Sequence, residues 1–329
     1  MSGHVLDVKN LKTYFSSRDG DIPAVDGVDF YVDAGEVLGI VGESGCGKSV
    51  TSLSVMGLVP SPPGRIAGGE ILFNGEDLTK AKEKRMRKIR GNDIAMIFQE
   101  PMTSLNPVFK IGDQLIEGIR LHNKGSKKEA AGRAKKMLTL VGLSRVDDLM
   151  NSYPHQLSGG MRQRVMIAIA MACDPKLLIA DEPTTALDVT IQKQILNLMK
   201  RLNNEMDTAI MLITHDLGVV AEMCDRVAVM YAGKVVEEGS VRAIFKDPKH
   251  PYTQGLIDSV PDMREKKERL YSIPGNVPKP GSIKEGCPFA PRCEHAYDRC
   301  VEETPVLLPA ENGQKVRCWL YHDEKRGSA

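Results

Sequence analysis

"EVLGIVGESGCGKS", Glu36 to Ser49, decides the fold. Its first half is a short apolar run, the pattern of a strand buried on both faces. Its second half, "GESGCGKS" from Gly42 to Ser49, fits G-x-x-x-x-G-K-[ST] at all four fixed positions. A strand before the glycines is the context that this motif requires. Glycines let consecutive backbone N–H groups turn inward around phosphate oxygens. A helix from about Lys48 would point its positive end at the same anion. Gly42, Glu43, Ser44, Gly45, Cys46 and Gly47 are the expected cradle. Lys48 adds a full charge for the β- and γ-phosphates, and the Ser49 hydroxyl suits Mg²⁺.

Mg²⁺ needs more oxygen ligands than one hydroxyl. "LLIADEP" supplies them: four apolar residues place Asp181 at the end of a buried strand, where ligands of open α/β sheets collect. Asp181 suits the magnesium shell, and Glu182 beside it suits polarisation of an attacking water. "MLITHDL" puts His215 at the end of another apolar run, where it could hydrogen-bond the γ-phosphate. "LSGGMRQR", Leu157 to Arg164, joins a serine and two glycines to a helix start. That is a second potential anion site, at Ser158, Gly159 and Gly160. One nucleotide needs one cradle, so a second suggests two chains facing each other.

The rest of the chain fills in an α/β architecture. "VLDVKNLKTYF" and "DGVDFYVDAG" alternate as half-exposed strands, and "GGEILFNGEDL" turns at Asn74–Gly75. From about Gly112 to Leu149 apolar residues recur three and four apart, which predicts helices. A helix is expected over Val189 to Glu205, and a hairpin in "RVAVMYAGKVVEEG" with its turn at Ala232–Gly233. Strands alternating with helices imply a mostly parallel sheet, with the early alternating strands as an antiparallel side sheet. The basic run Lys80 to Arg90 lacks interleaved aromatics and reads as a solvated helix face.

Taken together, these residues resemble the ATPase subunit of ATP-binding cassette transporters. The resemblance covers about Val5 to Phe245 and implies a P-loop NTPase core with an antiparallel β subdomain and a helical subdomain near residues 100–160. It implies ATP and Mg²⁺ as cofactors. It assigns Glu182 as the catalytic carboxylate, His215 as the switch histidine, and Gln99 of "MIFQEP" as the glutamine reaching metal and membrane partner. It also assigns "ALD", Ala186 to Asp188, as the loop crossing a dimer interface, and Phe15, with Tyr14 next, as the aromatic stacking on adenine. A head-to-tail dimer follows, each ATP lying between Lys48 of one chain and Ser158–Gly160 of the other.

"QEPMTSLNP" and "HPYTQGLIDSVP" resemble the oligopeptide and dipeptide importer ATPases of bacteria and archaea; nickel importers share much of the pattern. This implies transmembrane permease subunits, a second and non-identical ATPase subunit, an extracytoplasmic substrate-binding protein, and a peripheral place on the cytoplasmic membrane face. A cassette ATPase of DNA repair or translation usually has two cassettes or a long coiled coil, and this chain has neither.

Composition agrees. Apolar residues make up 42% and charged residues 26%, ordinary globular usage. The net charge of +1 gives no global attraction to nucleic acid. "MSGHVLDVKN" is no signal peptide, and no apolar run approaches a membrane span. A cytoplasmic chain is expected, where disulfides are rare. Of seven cysteines, Cys46 belongs to the phosphate loop, and Cys173 and Cys224 read as small buried hydrophobes in helical stretches.

The tail after Lys246, residues 246–329, is rich in Pro, Gly, Lys and Glu and reads as an extension too weak to bury a core. It carries Cys287, Cys293, Cys300 and Cys318, spaced unlike a zinc knuckle or a ferredoxin. Four thiolates can nonetheless close a Zn²⁺ site or hold a [4Fe–4S] cluster. The subfamily resemblance favours the cluster, as a structural site that folds the tail. Its distance in sequence from the phosphate loop argues against a part in hydrolysis.

Overall fold

A computed structural model describes residues 3–99, 105–185, 187–260 and 271–322. The chain divides into two compact units, each assembled from discontinuous segments.

One unit comprises residues 1–6, 32–37 and 73–213. Its sheet is parallel. Ile94–Ile97 pairs with Leu177–Asp181, from Ile94 opposite Leu177 to Ile97 opposite Ala180. Leu177–Asp181 pairs with Ala209–Thr214, ending with Asp181 opposite Ile213. Every residue of the latter two strands is buried, which is why both read as unbroken apolar runs. The long crossover between them is the helix Val189–Met206, capped by the Asp188 carboxylate accepting from the Ile191 N–H at 3.0 Å.

The expected helical stretch forms Ile111–His122, Lys127–Leu140 and Val146–Asn151. Ile111, Leu115 and Ile119 make the buried face of the first, at the four-residue spacing of one helix side. The second opens on a reciprocal cap between Ser126 and Glu129. The basic run is the helix Glu83–Ile89. It is solvated as expected except that Met86 and Ile89 are buried.

The other unit comprises residues 7–31, 38–72 and 214–329. Val37–Val41 pairs in parallel with Arg226–Tyr231. That strand folds back on Lys234–Ser240 through the predicted turn, with Ala232 and Gly233 both at positive φ. Gly20–Val32, Leu6–Ser17 and Gly64–Phe73 lie in that order in a second sheet.

The tail departs from the sequence expectation. Lys315–Val316 pairs antiparallel with Lys234–Ser240, and Leu308–Pro309 pairs with it in turn. The tail therefore covers a sheet edge that would otherwise expose unpaired backbone groups. It also buries a core: Phe289 and Tyr252 pack on Tyr231 with ring centroids 5.3 and 4.6 Å away. All three are essentially inaccessible. Composition hides this, because the tail borrows the strand residue Tyr231 rather than supplying a core alone. Cys173 and Cys224 are half-buried just past helix ends, less enclosed than expected.

Candidate active site

The phosphate loop joins the buried strand Val37–Val41 to the helix Lys48–Val55. Gly47 sits at φ 105°, and a Cβ there would lie 2.5 Å from the Ala24 carbonyl. Gly42 is at φ 151°, with the Met230 carbonyl closing on the space that a side chain would take. Both positions demand glycine. Lys48 is 6% exposed, and its Nζ donates to the Gly42 carbonyl at 2.7 Å and the Glu43 carbonyl at 3.2 Å. The loop thus holds its own cation over the turn. Ser44 and Gly45 are exposed at the rim. Cys46 is buried, with its thiol 3.8 Å from Lys48 Nζ and its pKa pushed up by burial.

His215 and Asp216 line a cleft of about 390 Å³ with Gly42 and Glu43. The Asp216 carboxylate caps the helix Leu217–Met223, accepting from the Gly218 N–H at 2.8 Å. His215 directly precedes this capping residue.

In the other unit, Asp181 is the last residue of its strand and 4% exposed. Glu182 follows at φ 49°, a left-handed conformation costing a non-glycine residue about 1–2 kcal/mol. Such strain is kept where function needs an aimed side chain. The Glu182 N–H reaches the Ile213 carbonyl at 2.9 Å. Its Oε2 accepts from Gln99 Nε2 at 3.1 Å and Thr185 Oγ1 at 3.0 Å.

Ser158 caps the helix Gly159–Met171, accepting from the Met161 N–H at 3.4 Å. Ser158 and Gly159 are exposed. Gln163 of this helix, fully buried, donates to the Pro183 carbonyl at 2.5 Å. The helix is so tied to the loop that carries Glu182; Gln163 lies in "LSGGMRQR", but nothing in that motif names Pro183 as its partner.

The expected aromatic, Phe15, is half-buried at the end of Leu6–Ser17. Its ring lies 2.9 Å from where a Cβ on Gly64 would stand. The Tyr14 hydroxyl instead donates to Asp26 at 2.8 Å. Ala186 and residues 100–104 of "QEPMTSLNP" lie outside the described residues, as do residues 261–270.

All four tail cysteines line one cavity, together with His250. Burial pushes the Cys287 thiol up to about 11 and Cys318 up to about 12, each further raised by the neighbouring thiols. The metal site expected at these cysteines is not borne out. Among the described residues no three His, Cys, Asp or Glu side chains are placed to hold a metal ion.

His250 closes one side of the same cavity. The Tyr252 N–H donates to His250 Nδ1 at 3.0 Å, which leaves the proton on Nε2. That Nε2 is buried without an acceptor, and burial holds the imidazole neutral, its pKa near about 3.

Two contacts escaped sequence reasoning. Arg292, between Cys287 and Cys293, forms an ion pair with Glu43 of the phosphate loop at 2.8 Å. Tyr252 accepts from the Glu43 N–H at 2.8 Å. Tail and phosphate loop, far apart in sequence, therefore meet in space. Tyr252 lies in "HPYTQGLIDSVP", so a signal existed for it; for Arg292 there was none.

A glycine cradle with its lysine after one buried strand, and an acidic pair after another, define an α/β P-loop ATPase. The ABC transporter family model matches residues 25–185. A second model, the oligopeptide/dipeptide transporter C-terminal region, matches residues 236–300. The oligopeptide transport ATP-binding protein AppD of Bacillus subtilis is 56% identical, covering 97% of this chain and 98% of the relative. The dipeptide transport ATP-binding protein DppD of the same organism is 51% identical, covering 96% and 94%. Among solved structures, the dimeric cassette MJ0796, in a post-hydrolysis state bound to ADP and Pi, superposes with a TM-score of 0.65 at 29% identity. That match covers 72% of this chain and 99% of that one. The chain belongs to the ABC transporter ATPase family, in the branch that carries the oligopeptide/dipeptide C-terminal region. As such it is an ATPase that works with membrane permeases and in paired cassettes. Among the described residues no helix is long and apolar enough to cross a membrane.

Proposed function

We propose that this chain is the ATP-hydrolysing subunit that energises a membrane importer of di- and oligopeptides. The observation that carries the reading is the joining of a complete phosphate loop to the branch-specific tail in one chain. Lys48 and the loop N–H groups bind the β- and γ-phosphates of ATP. Ser49, Asp181 and Gln99 offer an all-oxygen set suited to Mg²⁺, which neutralises phosphate charge. Glu182 polarises the attacking water; its shared hydrogen bonds to Gln99 and Thr185 support an aimed carboxylate. His215 holds the γ-phosphate, and Phe15 stacks on adenine. Ser158, Gly159 and Gly160 complete the site of a second, non-identical ATPase subunit in a head-to-tail dimer.

The cassette is residues 1–245 and the extension residues 246–329. The assembly sits on the cytoplasmic membrane face, and an extracytoplasmic binding protein delivers cargo to the permeases. The four tail thiols hold a [4Fe–4S] cluster that braces the extension. The all-sulfur donor set and the unanswered His250 N–H support that assignment.

Two experiments test this. Gln99→Ala should leave ATP binding largely intact and weaken coupling to transport; lost nucleotide binding would contradict its role. Anaerobic purification should yield brown protein with four irons and four acid-labile sulfides per chain. A colourless, folded protein with one zinc would contradict the cluster.

A further inference from the structure

Glu43 is an anomaly of charge. It places a carboxylate inside a loop built to receive phosphate. At close range two like charges repel by an amount that grows as water is excluded. An uncompensated Glu43 would therefore weaken the anion binding that the loop exists to perform.

The structure supplies the compensation from the tail. Arg292 forks onto the carboxylate: Nη1 lies 2.8 Å from Oε2 and Nη2 lies 3.2 Å from Oε1. This is the two-pronged geometry that makes arginine–carboxylate pairs strong and directional. The rest of the fork is also held. Nε donates to the Pro274 carbonyl at 2.9 Å, and Nη1 reaches the Tyr231 hydroxyl at 3.3 Å. The Arg292 side chain is only 4% exposed and that of Glu43 30%, so the guanidinium is held in the fold while the carboxylate keeps a face to water. Tyr252 takes the backbone side of the same residue, accepting the Glu43 N–H at 2.8 Å. Tyr252 is itself immobilised between Tyr231 and Phe289.

We propose that Arg292 and Tyr252 are positioning residues for nucleotide binding. Together they hold the Glu43 carboxylate and backbone so that the loop can accept phosphate. Arg292 immediately precedes Cys293, in the helical turn Ala290–Arg292 that enters the thiol cavity. Nucleotide affinity of this cassette is therefore set in part by the cysteine-bearing tail. The inference rests on reading Gly42–Ser49 as the ATP phosphate loop.

The test is steady-state ATPase kinetics on the full chain, with binding of a fluorescent ATP analogue and thermal unfolding alongside. Arg292→Gln should raise KM for ATP roughly tenfold while kcat stays within about twofold, the mark of lost ground-state binding. Arg292→Lys should fall between. Adding Glu43→Gln to Arg292→Gln should restore KM to within about threefold of wild type, because the repelling charge has gone. A packing role alone would give no such rescue. Tyr252→Phe should raise KM roughly threefold and decides the matter should Arg292→Gln fail to fold. An unchanged KM in folded Arg292→Gln, or in Tyr252→Phe, overturns the inference, as does a double variant no better than the single. Lys48→Ala separates the two claims. If it leaves ATP binding intact, the phosphate-loop reading itself fails; if it abolishes binding while Arg292→Gln is silent, only the clamp fails.

Discussion

At the residue scale, Glu182 and Glu237 illustrate two ways a carboxylate is used. Glu182 is exposed enough to meet a ligand, and its two neighbours both donate to one oxygen. Glu182→Gln keeps the shape and removes the base. Hydrolysis should fall by roughly a hundredfold or more with ATP binding retained; unchanged turnover removes Glu182 as the catalytic carboxylate. Glu237 is wholly buried and accepts the N–H groups of Lys249 at 2.6 Å and His250 at 2.9 Å. Burial nevertheless raises its pKa above the usual carboxylate range. The folded state then binds the proton more tightly than the unfolded state does. This contribution is fully present below the unfolded pKa and is lost as pH rises through the folded one. Denaturation of wild type and Glu237→Gln at pH 4.5 and pH 7 should show wild type losing ground to the variant at the higher pH. A parallel pair of profiles would contradict the burial argument.

At the scale of elements, the strand ends were legible in the sequence and the cross-links were not. "EVLGIVG" and "LLIADEP" stand out because a strand buried on both faces has no polar residue until its end, where ligands of open α/β sheets collect. Ala232–Gly233 stood out because only certain residues tolerate two positive φ values in succession. Glu43 and Arg292 lie 249 positions apart, and no local pattern records so distant a partner. The tail's core was hidden for a related reason: Phe289 packs on Tyr231, a residue of the central hairpin. Gln163 belongs with these invisible links. Gln163→Leu would strip the Pro183 carbonyl of its buried donor and cost about 1–3 kcal/mol of stability. As its tether leads to the Glu182 loop, kcat should drop while KM for ATP holds. A variant equally stable and equally active would show the tether to be idle.

At the scale of the whole molecule, one chain carries a phosphate loop in one compact unit and an exposed Ser158–Gly159 helix start in the other. In the proposed head-to-tail pair that exposed start would meet the nucleotide of a neighbour. ATP with Mg²⁺ should then drive the Glu182→Gln chain, mixed with the proposed second ATPase subunit, into a stable pair resolved by light scattering. Ser158→Arg should prevent this while leaving ATP binding by the single chain unchanged. The most direct measurement of the central claim is uptake of a labelled oligopeptide by cells that lack this chain. Wild-type protein should restore uptake, and Glu182→Gln, present at equal level, should not. Full uptake with Glu182→Gln, or full uptake with no copy of the chain at all, would contradict an importer driven by ATP hydrolysis at this site.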